Sequence, residues 1–377
     1  MGTPVIFSNF KGALPFWVSL LLIPIVLIGA TNGGWTLLLP VITILGGLSF
    51  LDILSGDNLQ NTDPETPDNR LFWHRLITLI WFPLQFLLVF GTIRYAASAD
   101  HLSGGEKLLL FFAVGQLSGV VGIVYAHELL HQQSPFERWL ADLLMAMVLY
   151  SHYRSEHLLV HHRYVGTPRD PVTARYNENF HAAFPRVLRQ SLLSAFRAEQ
   201  RMLGRKGLVW WDASNPFWRY LGLQAGFVLL SVLVAGWLGL GLFVFQALVA
   251  IWHLEIINYI EHYGLTRKHL GGGKYEPVMP RHSWNSANRV SNWLFINLQR
   301  HSDHHAKPAR RYPLLQNYTA ADAPLQPFSY PLMFAAALVP PIWFRMMNPR
   351  VRKWRAMYYP EITDWSAYKA GTNPTPR

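Results

Sequence analysis

The chain has 377 residues, of which 51% are hydrophobic and only 15% charged, and it carries a formal net charge of +11 and no cysteine. Soluble globular proteins average about 25% charged residues, so the composition favours a membrane protein over a set of soluble domains. The aromatic content of 14% excludes a disordered chain, and the missing cysteine excludes disulfides, an iron–sulfur cluster and cysteine-ligated haem or zinc.

Four uncharged apolar runs occupy the first third of the chain, at 14–30, 35–51, 76–93 and 108–126. A helix needs roughly 17–25 such residues to cross the hydrocarbon layer. A shorter pair follows at 220–235 and 238–252, and glycine-rich turns at 31–34 and 236–239 predict tight hairpins within both sets. We therefore predict six transmembrane helices. The apolar stretch 330–344 contains three prolines and is expected to lie at the membrane interface or under the cytoplasmic part.

Basic residues are concentrated in two segments, since 27 of the 33 Lys and Arg lie within 127–215 and 263–377. Cytoplasmic segments of membrane proteins hold such an excess, so both segments and both termini are predicted to be cytoplasmic. The division is then helices 1–4 at 1–126, a cytoplasmic segment at 127–215, helices 5–6 at 216–260 and a second cytoplasmic segment at 261–377. The charge also favours contact with anionic lipid, and no nucleic-acid-binding motif accompanies it. The last residues, 369–377, are expected to form a disordered end or a linker.

Nine of the sixteen histidines fall in short motifs at the ends of predicted spans or inside the cytoplasmic segments. The motifs are HELLH at 127–131, EHLLVHH at 156–162, LQRHSDHH at 298–305, and NYIEHYGL at 258–265, which holds a single histidine. The nine are His127, His131, His157, His161, His162, His262, His301, His304 and His305.

Their spacing predicts metal binding. Residues four apart stack on one helix face with Cβ atoms about 5–6 Å apart, as in His127/His131, His157/His161 and His301/His305. Two imidazoles so placed can bind one metal, whereas adjacent histidines point about 100° apart and serve two metals more readily. Nine imidazoles exceed the needs of one ion, so the pattern predicts two. The other seven, His74, His101, His152, His181, His253, His269 and His282, are expected to be ordinary core or surface residues.

Imidazole suits zinc, copper, iron and nickel alike. A site at the mouth of a membrane bundle favours a lipophilic substrate, and a metal pair that activates O2 must change oxidation state, which zinc cannot do. We therefore predict two non-haem irons. An acid lies in or beside each motif, and metal-bound histidines usually donate their second N–H to a carboxylate. Candidates for this role, or for a proton route, are Glu128, Glu156, Glu261 and Asp303; helix capping and pairing with arginine are the alternatives.

At these motifs the chain resembles the integral-membrane, non-haem di-iron alkane 1-monooxygenases (alkane hydroxylases) of the membrane fatty-acid desaturase and hydroxylase superfamily. The boxes HE(L/M)xH, EHxxxHH and LQRHSDHH and the segment NYxEHYG(L/M) occur in order within 125–305. The resemblance implies an all-α membrane protein with six transmembrane helices and a cytoplasmic helical domain that carries a histidine-rich di-iron site. It also implies that the nine histidines hold two irons.

The reaction implied is terminal hydroxylation of a medium-chain linear alkane with O2, two electrons and two protons, giving a primary alcohol and water. This chain has no cysteine for an iron–sulfur centre and no nucleotide-binding glycine motif, so it is expected to hold no haem, flavin or cluster. The family's donor is rubredoxin, a small acidic iron protein reduced by an NAD(P)H-dependent reductase. We also expect the protein to lie in the inner membrane of a bacterium. The basic residues Arg310, Arg311, Arg350, Arg352, Lys353 and Arg355 form a candidate docking surface for the donor, or a lipid-headgroup contact.

Three alternatives remain at this point. HELLH also satisfies HExxH, in which two histidines bind zinc and the glutamate acts as base, but a zinc protease leaves seven histidines without a role. A metal-transport protein would carry polar residues along several spans, and the first four runs have almost none. A related oxygenase could instead attack the alkyl side chains of aromatics or desaturate acyl chains.

Overall fold

The protein is described by a computed structural model over residues 10–365, and it is mostly helical. The α-helices are Phe10–Ala13, Leu22–Asn32, Leu39–Ile42, Leu48–Ser55, Phe72–Ser98, Gly104–Leu117, Val124–Leu130, Pro135–Met147, Tyr153–Glu156, His162–Tyr164, Phe180–Gly204, Pro216–His262, Arg289–Leu294, His301–Ala306, Tyr330–Ala337 and Pro340–Tyr358. Short 3₁₀-helices are Leu14–Leu21, Gly34–Leu38, Asp68–Leu71, Pro280–His282 and Tyr312–Leu314. Turns of π-helix are Thr43–Gly47, Ser118–Ile123 and His157–His161, and one antiparallel hairpin pairs His269–Gly271 with Lys274–Tyr275.

Five continuous helical segments in the described part of the chain are long and apolar enough to cross a membrane: Phe10–Asn32, Gly34–Ser55, Asp68–Ser98, Gly104–Leu130 and Pro216–His262. We call them the first to fifth apolar segments. Each of the four early runs predicted from sequence lies inside one of the first four segments, and the later pair lies inside the fifth. The chain is therefore an integral membrane protein.

The fifth apolar segment has 47 residues and is broken in the middle. Ala235 (φ −151°, ψ 28°) and Gly236 (φ 57°, ψ −144°) leave the helical region of backbone space. Positive φ is a conformation that glycine adopts without steric cost, so a glycine stands where the chain must turn. Close to the turn, a Cβ added at Gly239 would collide with the backbone oxygen of Ser231. Two helices thus meet at this break and pack against each other beside it.

The fourth apolar segment is central, because 83% of its most apolar window is buried, against 28–50% for the other four. Its glycines allow a close approach to the fifth segment. A Cβ at Gly115 would lie 2.6 Å from the backbone oxygen of Gln246, and one at Gly119 would lie 2.8 Å from Cβ of His253. Small residues at such crossings let helix backbones pack tightly in membranes. This packing fixes the position of the HELLH motif at the segment's C-terminal end.

The stretch 330–344 does not span a membrane by length and composition, in agreement with its predicted place outside the spans. It is divided into two helices, with Leu338 and Val339 between them. Proline at the start of the second helix accounts for the break, since it lacks the N–H that a continuous helix needs. The predicted disordered end at 369–377 lies outside the described residues.

Candidate metal centre

The structure gathers the nine motif histidines into two adjacent groups. Within each group the facing ring nitrogens all lie within 4.8 Å of one another. The five-histidine group is His127, His131, His157, His162 and His304. The four-histidine group is His161, His262, His301 and His305. All nine rings are buried except those of His131 and His162, which are half-buried.

The spacing between ring nitrogens fits ligands around common metal positions. Nε2 of His157 lies 2.9 Å from Nε2 of His131 and 3.0 Å from Nε2 of His162. In the other group, Nε2 of His301 lies 3.0 Å from the Nε2 atoms of both His262 and His305. Two nitrogens about 2.1 Å from one metal are about 3.0 Å apart at a right angle and about 3.4 Å apart at the tetrahedral angle. The observed distances are in the range expected for nitrogens that share one metal ion.

Hydrogen bonding among the imidazoles does not account for these contacts. A neutral ring nitrogen has either one proton or one lone pair in the ring plane, yet Nε2 of His157 and Nε2 of His301 each face two other nitrogens. Nε2 of His127 and of His161 are buried without any hydrogen-bond partner. Converging lone pairs of this kind are satisfied by a cation.

Burial keeps the imidazoles in the form that binds metal. Burial, and then the mutual repulsion of neighbouring rings, lowers the pKa of His157, His162 and His304 well below the usual histidine value. The same causes lower the pKa of His301 and His305. Because only the neutral ring offers a lone pair, all five can act as ligands at neutral pH.

A π-helical turn decides how the second motif divides. His157–His161 is π-helical, and i→i+5 bonding brings residues five apart onto one side. His157 therefore joins His162 in the five-histidine group, while His161 turns to the four-histidine group. In an α-helix His157 and His161, four residues apart, would lie on one face, and the π-helical turn separates them instead.

The other two pairs behave as α-helical spacing indicates. His127 and His131 share the five-histidine group, and His301 and His305 share the four-histidine group. His304 lies next to His305 in the chain but belongs to the five-histidine group. His301–Ala306 is α-helical, so successive side chains point in different directions. The short helix thus contributes to both groups.

One carboxylate that sequence reasoning missed supports a candidate ligand directly. Oδ2 of Asp170 lies 3.0 Å from Nδ1 of His161 and also accepts hydrogen bonds from Thr173. Burial opposes ionisation there, but the charge of His161 and the hydrogen bonds from His161 and Thr173 hold the pKa of Asp170 below its usual value. A carboxylate behind a histidine fixes its tautomer and its direction. Asp170 stands outside the histidine motifs, and nothing in its local sequence indicates this contact.

The four acids predicted for that role are placed differently. Glu261 lies closest to a motif histidine: its Oε2 is 3.4 Å from Nε2 of His301, and its Oε1 accepts a hydrogen bond from Tyr330. It therefore faces the ring nitrogen that points to the candidate metal position, and not the second nitrogen of the ring. Asp303 pairs with Arg310, which was the alternative expected for such acids. Glu128 accepts a hydrogen bond from Gln132.

Glu156 is the most enclosed of the predicted acids. It is fully buried, and its Oε1 has no hydrogen-bond partner. Burial and the nearby carboxylates of Asp170 and Glu255 raise the pKa of Glu156 well above its usual value. Burial beside these carboxylates thus disfavours the charged form of Glu156.

None of the seven remaining histidines joins either group within residues 10–365. His101 binds the backbone oxygen of Ala30, His181 that of Leu338, and His253 that of Val249. His282 lies 3.2 Å from Glu276. Contacts of this kind are usual for histidines in a core or at a surface; His253 also lines the cavity described next.

An apolar cavity lies directly against both histidine groups. His127 and His157 of the five-histidine group and His301 of the other group form part of its wall. The cavity is narrow, with a volume of about 20 Å³. Most of the remaining wall comes from the fourth apolar segment, including its π-helical turn Ser118–Ile123, from the fifth apolar segment, and from residues at and just before the start of the third motif. These wall residues are Val120, Ile123, Val124, Leu254, Ile257, Phe295 and Leu298. Such a wall suits the end of a hydrocarbon chain, which offers no polar atom to bind.

The basic residues predicted as a docking surface are largely engaged within the protein. Arg310 pairs with Asp303, and Arg311 pairs with Asp68 and Glu137. Arg355 is buried between aromatic rings. Only part of the predicted surface therefore carries exposed charge without a carboxylate partner, because the tertiary contacts neutralise the arginines nearest the third motif.

The fold and the two histidine groups define a membrane protein with a candidate two-metal site under an apolar cavity, and comparison with known families agrees. The fatty acid desaturase family matches residues 107–337, a range that contains all nine histidines.

Several relatives align over most of the chain. Alkane 1-monooxygenase 1 of Pseudomonas aeruginosa is 37% identical over 84% of this chain and 83% of its own length, and alkane 1-monooxygenase 2 of the same organism is 34% identical over 86% and 87%. The xylene/toluene monooxygenase hydroxylase component of Pseudomonas putida is 27% identical over 89% of both chains. The chain therefore belongs to the fatty acid desaturase family and, within it, to the alkane 1-monooxygenases, which confirms the resemblance seen in the motifs. It is an oxidoreductase of the monooxygenase type.

Proposed function

We propose that the protein hydroxylates the terminal carbon of medium-chain linear alkanes. Alkane, O2, two electrons and two protons give a primary alcohol and water. The observation that carries this proposal is the apolar cavity whose wall includes His127, His157 and His301, ring members of both histidine groups. The end of an alkane in this cavity would face the candidate metal positions and lie otherwise mainly against apolar side chains, with Tyr153, Asn258 and Glu261 also in the wall.

The two groups are proposed to hold two irons, one with five imidazoles and one with four. Bound iron supplies the redox chemistry that activates O2, which zinc cannot supply. The convergence of the Nε2 atoms at 2.9–3.1 Å supports a metal ion in each group. Asp170 holds the imidazole of His161 in a fixed orientation.

The topology we propose has six crossings, with both termini and the metal centre in the cytoplasm of a bacterial inner membrane. The backbone break at Ala235 and Gly236 supports two crossings within the fifth apolar segment. The four-region division, 1–126, 127–215, 216–260 and 261–377, follows from these crossings and from the excess of Lys and Arg outside the spans.

Electrons are proposed to come from a rubredoxin reduced by an NAD(P)H-dependent reductase. The absence of cysteine from the chain supports an external donor, since an iron–sulfur centre needs thiolates.

A second candidate substrate is an alkyl-aromatic hydrocarbon, favoured by the similarity to the xylene/toluene enzyme component. The lower identity, 27% against 37%, places it behind alkanes. The HExxH zinc protease is disfavoured because His127 and His131 share their group with three further imidazoles, more than a tetrahedral zinc uses.

The test is product analysis. The iron-loaded protein in membranes is supplied with a rubredoxin, its reductase and NADH, and is offered alkanes of increasing length alongside xylene. We expect primary alcohols from alkanes, with about two irons bound per chain. A preference for xylene would favour the second candidate, and one zinc per chain with no alcohol from any substrate would contradict both.

A further inference from the structure

Five arginines line one open groove on the surface of the protein, and no acidic residue lines it. We call it the arginine groove; its arginines are Arg163, Arg169, Arg197, Arg201 and Arg205. All five side chains are exposed. The groove has a volume of about 660 Å³ and is open to the surface.

The five guanidinium groups form no ion pair with any carboxylate in residues 10–365. Arginines elsewhere are neutralised, as Arg154 is by Asp142 and Arg186 is by Glu178. Like charges held together without counter-charges repel one another and create a strong local positive potential. A groove of this kind is matched by a negatively charged partner.

Helix geometry explains why the charges face the same way. Arg197, Arg201 and Arg205 are spaced four apart along and just beyond the helix Phe180–Gly204, and residues four apart lie on one face. The opposite wall carries Arg163 and Tyr164, which directly follow His162 in the chain. His162 is one of the two half-buried imidazoles of the five-histidine group. A partner in the groove therefore lies next to the helix that supplies His157, His161 and His162.

We propose that the arginine groove is the docking surface for a small acidic protein that delivers single electrons to the metal centre. The inference rests on the proposed function. That reaction consumes two electrons per turnover, and the chain has no cysteine for an iron–sulfur carrier of its own. The groove joins the two properties that such a dock needs, unpaired positive charge and a short path to the metal ligands.

The other open cleft near the site is less suited to this partner. It is lined by Arg75, Arg310 and Arg311, but also by Glu65 and Asp68. Ion pairs neutralise its arginines. An acidic protein gains little from charges already paired, because complementarity between surfaces depends on the net potential.

The test uses the full chain, loaded with iron, in nanodiscs of phosphatidylcholine, with a reduced rubredoxin as the probe. Binding of the probe and the donor KM for octane hydroxylation are measured at several salt concentrations. We expect the double variant Arg197→Glu/Arg201→Glu to raise the Kd and the donor KM about tenfold or more and to flatten their dependence on salt. The milder Arg197→Gln/Arg201→Gln should change both in the same direction by less, and serves if charge reversal prevents folding.

The matched control is Arg350→Glu/Lys353→Glu, which reverses two exposed charges on the other basic surface and should change the Kd less than about twofold. An unchanged Kd in the groove variants, or an equal loss in the control, overturns the proposal. So does a groove variant that loses only its response to added phosphatidylglycerol, since that outcome assigns the groove to lipid headgroups. A separate experiment tests the proposed function: the wild-type protein is reduced by dithionite with a small mediator in place of the protein donor. If it then makes no alcohol although the probe still binds, the proposed function is contradicted, whereas the proposed docking surface is not.

Discussion

The Nε2 atoms of His157 and His162 lie 3.0 Å apart across one turn of π-helix. In an α-helix, residues five apart point in clearly different directions, so this contact depends on the wider turn. The intervening His161 is thereby directed to the other histidine group. One irregular turn thus lets a single short segment contribute imidazoles to both candidate metal positions.

Removing a member of either group should lower metal content and activity together. We expect His157→Ala and His304→Ala to lose at least one of about two irons per chain and most octane hydroxylation, because a metal position loses an imidazole that the others cannot replace. Metal analysis of purified membranes and alcohol quantification measure this. His101→Ala is the control, since His101 is exposed and binds only a backbone oxygen. Full activity in His157→Ala would contradict the assignment.

Asp170→Asn should weaken metal binding without unfolding the protein. The amide keeps the shape of the side chain but removes the negative charge that orients His161, and loss of such a partner typically lowers metal affinity about 10–100-fold. Iron retention during titration with a chelator measures the effect. Asp142→Asn is the matched control, because Asp142 is equally buried and paired with Arg154 and Arg219. Equal iron loss in both variants would mean that Asp170 acts only through stability.

Filling the cavity should block turnover and leave the metals in place. Leu254 lines the cavity, whereas Leu248, on the same apolar segment, is 56% exposed. We expect Leu254→Phe to reduce octane hydroxylation roughly tenfold or more, because displacement of a substrate by about 1 Å is enough for such a loss. Leu248→Phe should behave like the wild type. Product analysis and iron content are measured together, and an unimpaired Leu254→Phe would show that the substrate lies elsewhere.

The close crossing of the fourth and fifth apolar segments should not tolerate a side chain. A methyl group at Gly115 would lie 2.6 Å from the backbone oxygen of Gln246, while one at Gly226 would meet no atom within 4 Å. We expect Gly115→Ala to destabilise the protein by about 1–3 kcal/mol, seen as a lower Tm in detergent. Gly226→Ala should leave the Tm unchanged or raise it, because alanine favours helix more than glycine. A higher Tm for Gly115→Ala would refute the packing described.

Several features of the site could be read from particular residues in the sequence. The four early apolar runs and the turn at Gly236 are visible in composition alone, and the structure has helices at those runs and a backbone break at that glycine. The nine histidines are recognisable in the sequence because they occur in short motifs, and a motif on one helix places its ring nitrogens close together. The i,i+4 spacing within His127/His131 and His301/His305 places each pair on one helix face, and each pair lies within one histidine group.

The tertiary structure alone decided the rest. It set the division into five and four imidazoles, because His157–His161 adopts a π-turn that α-helical periodicity does not anticipate. It brought Asp170 behind His161 and paired Arg310 and Arg311 with acids. It also left the arginine groove unpaired. Periodicity and composition report on neighbours along one helix, whereas the direction of a ring, the partner of a charge and the wall of a cavity depend on which segments pack together.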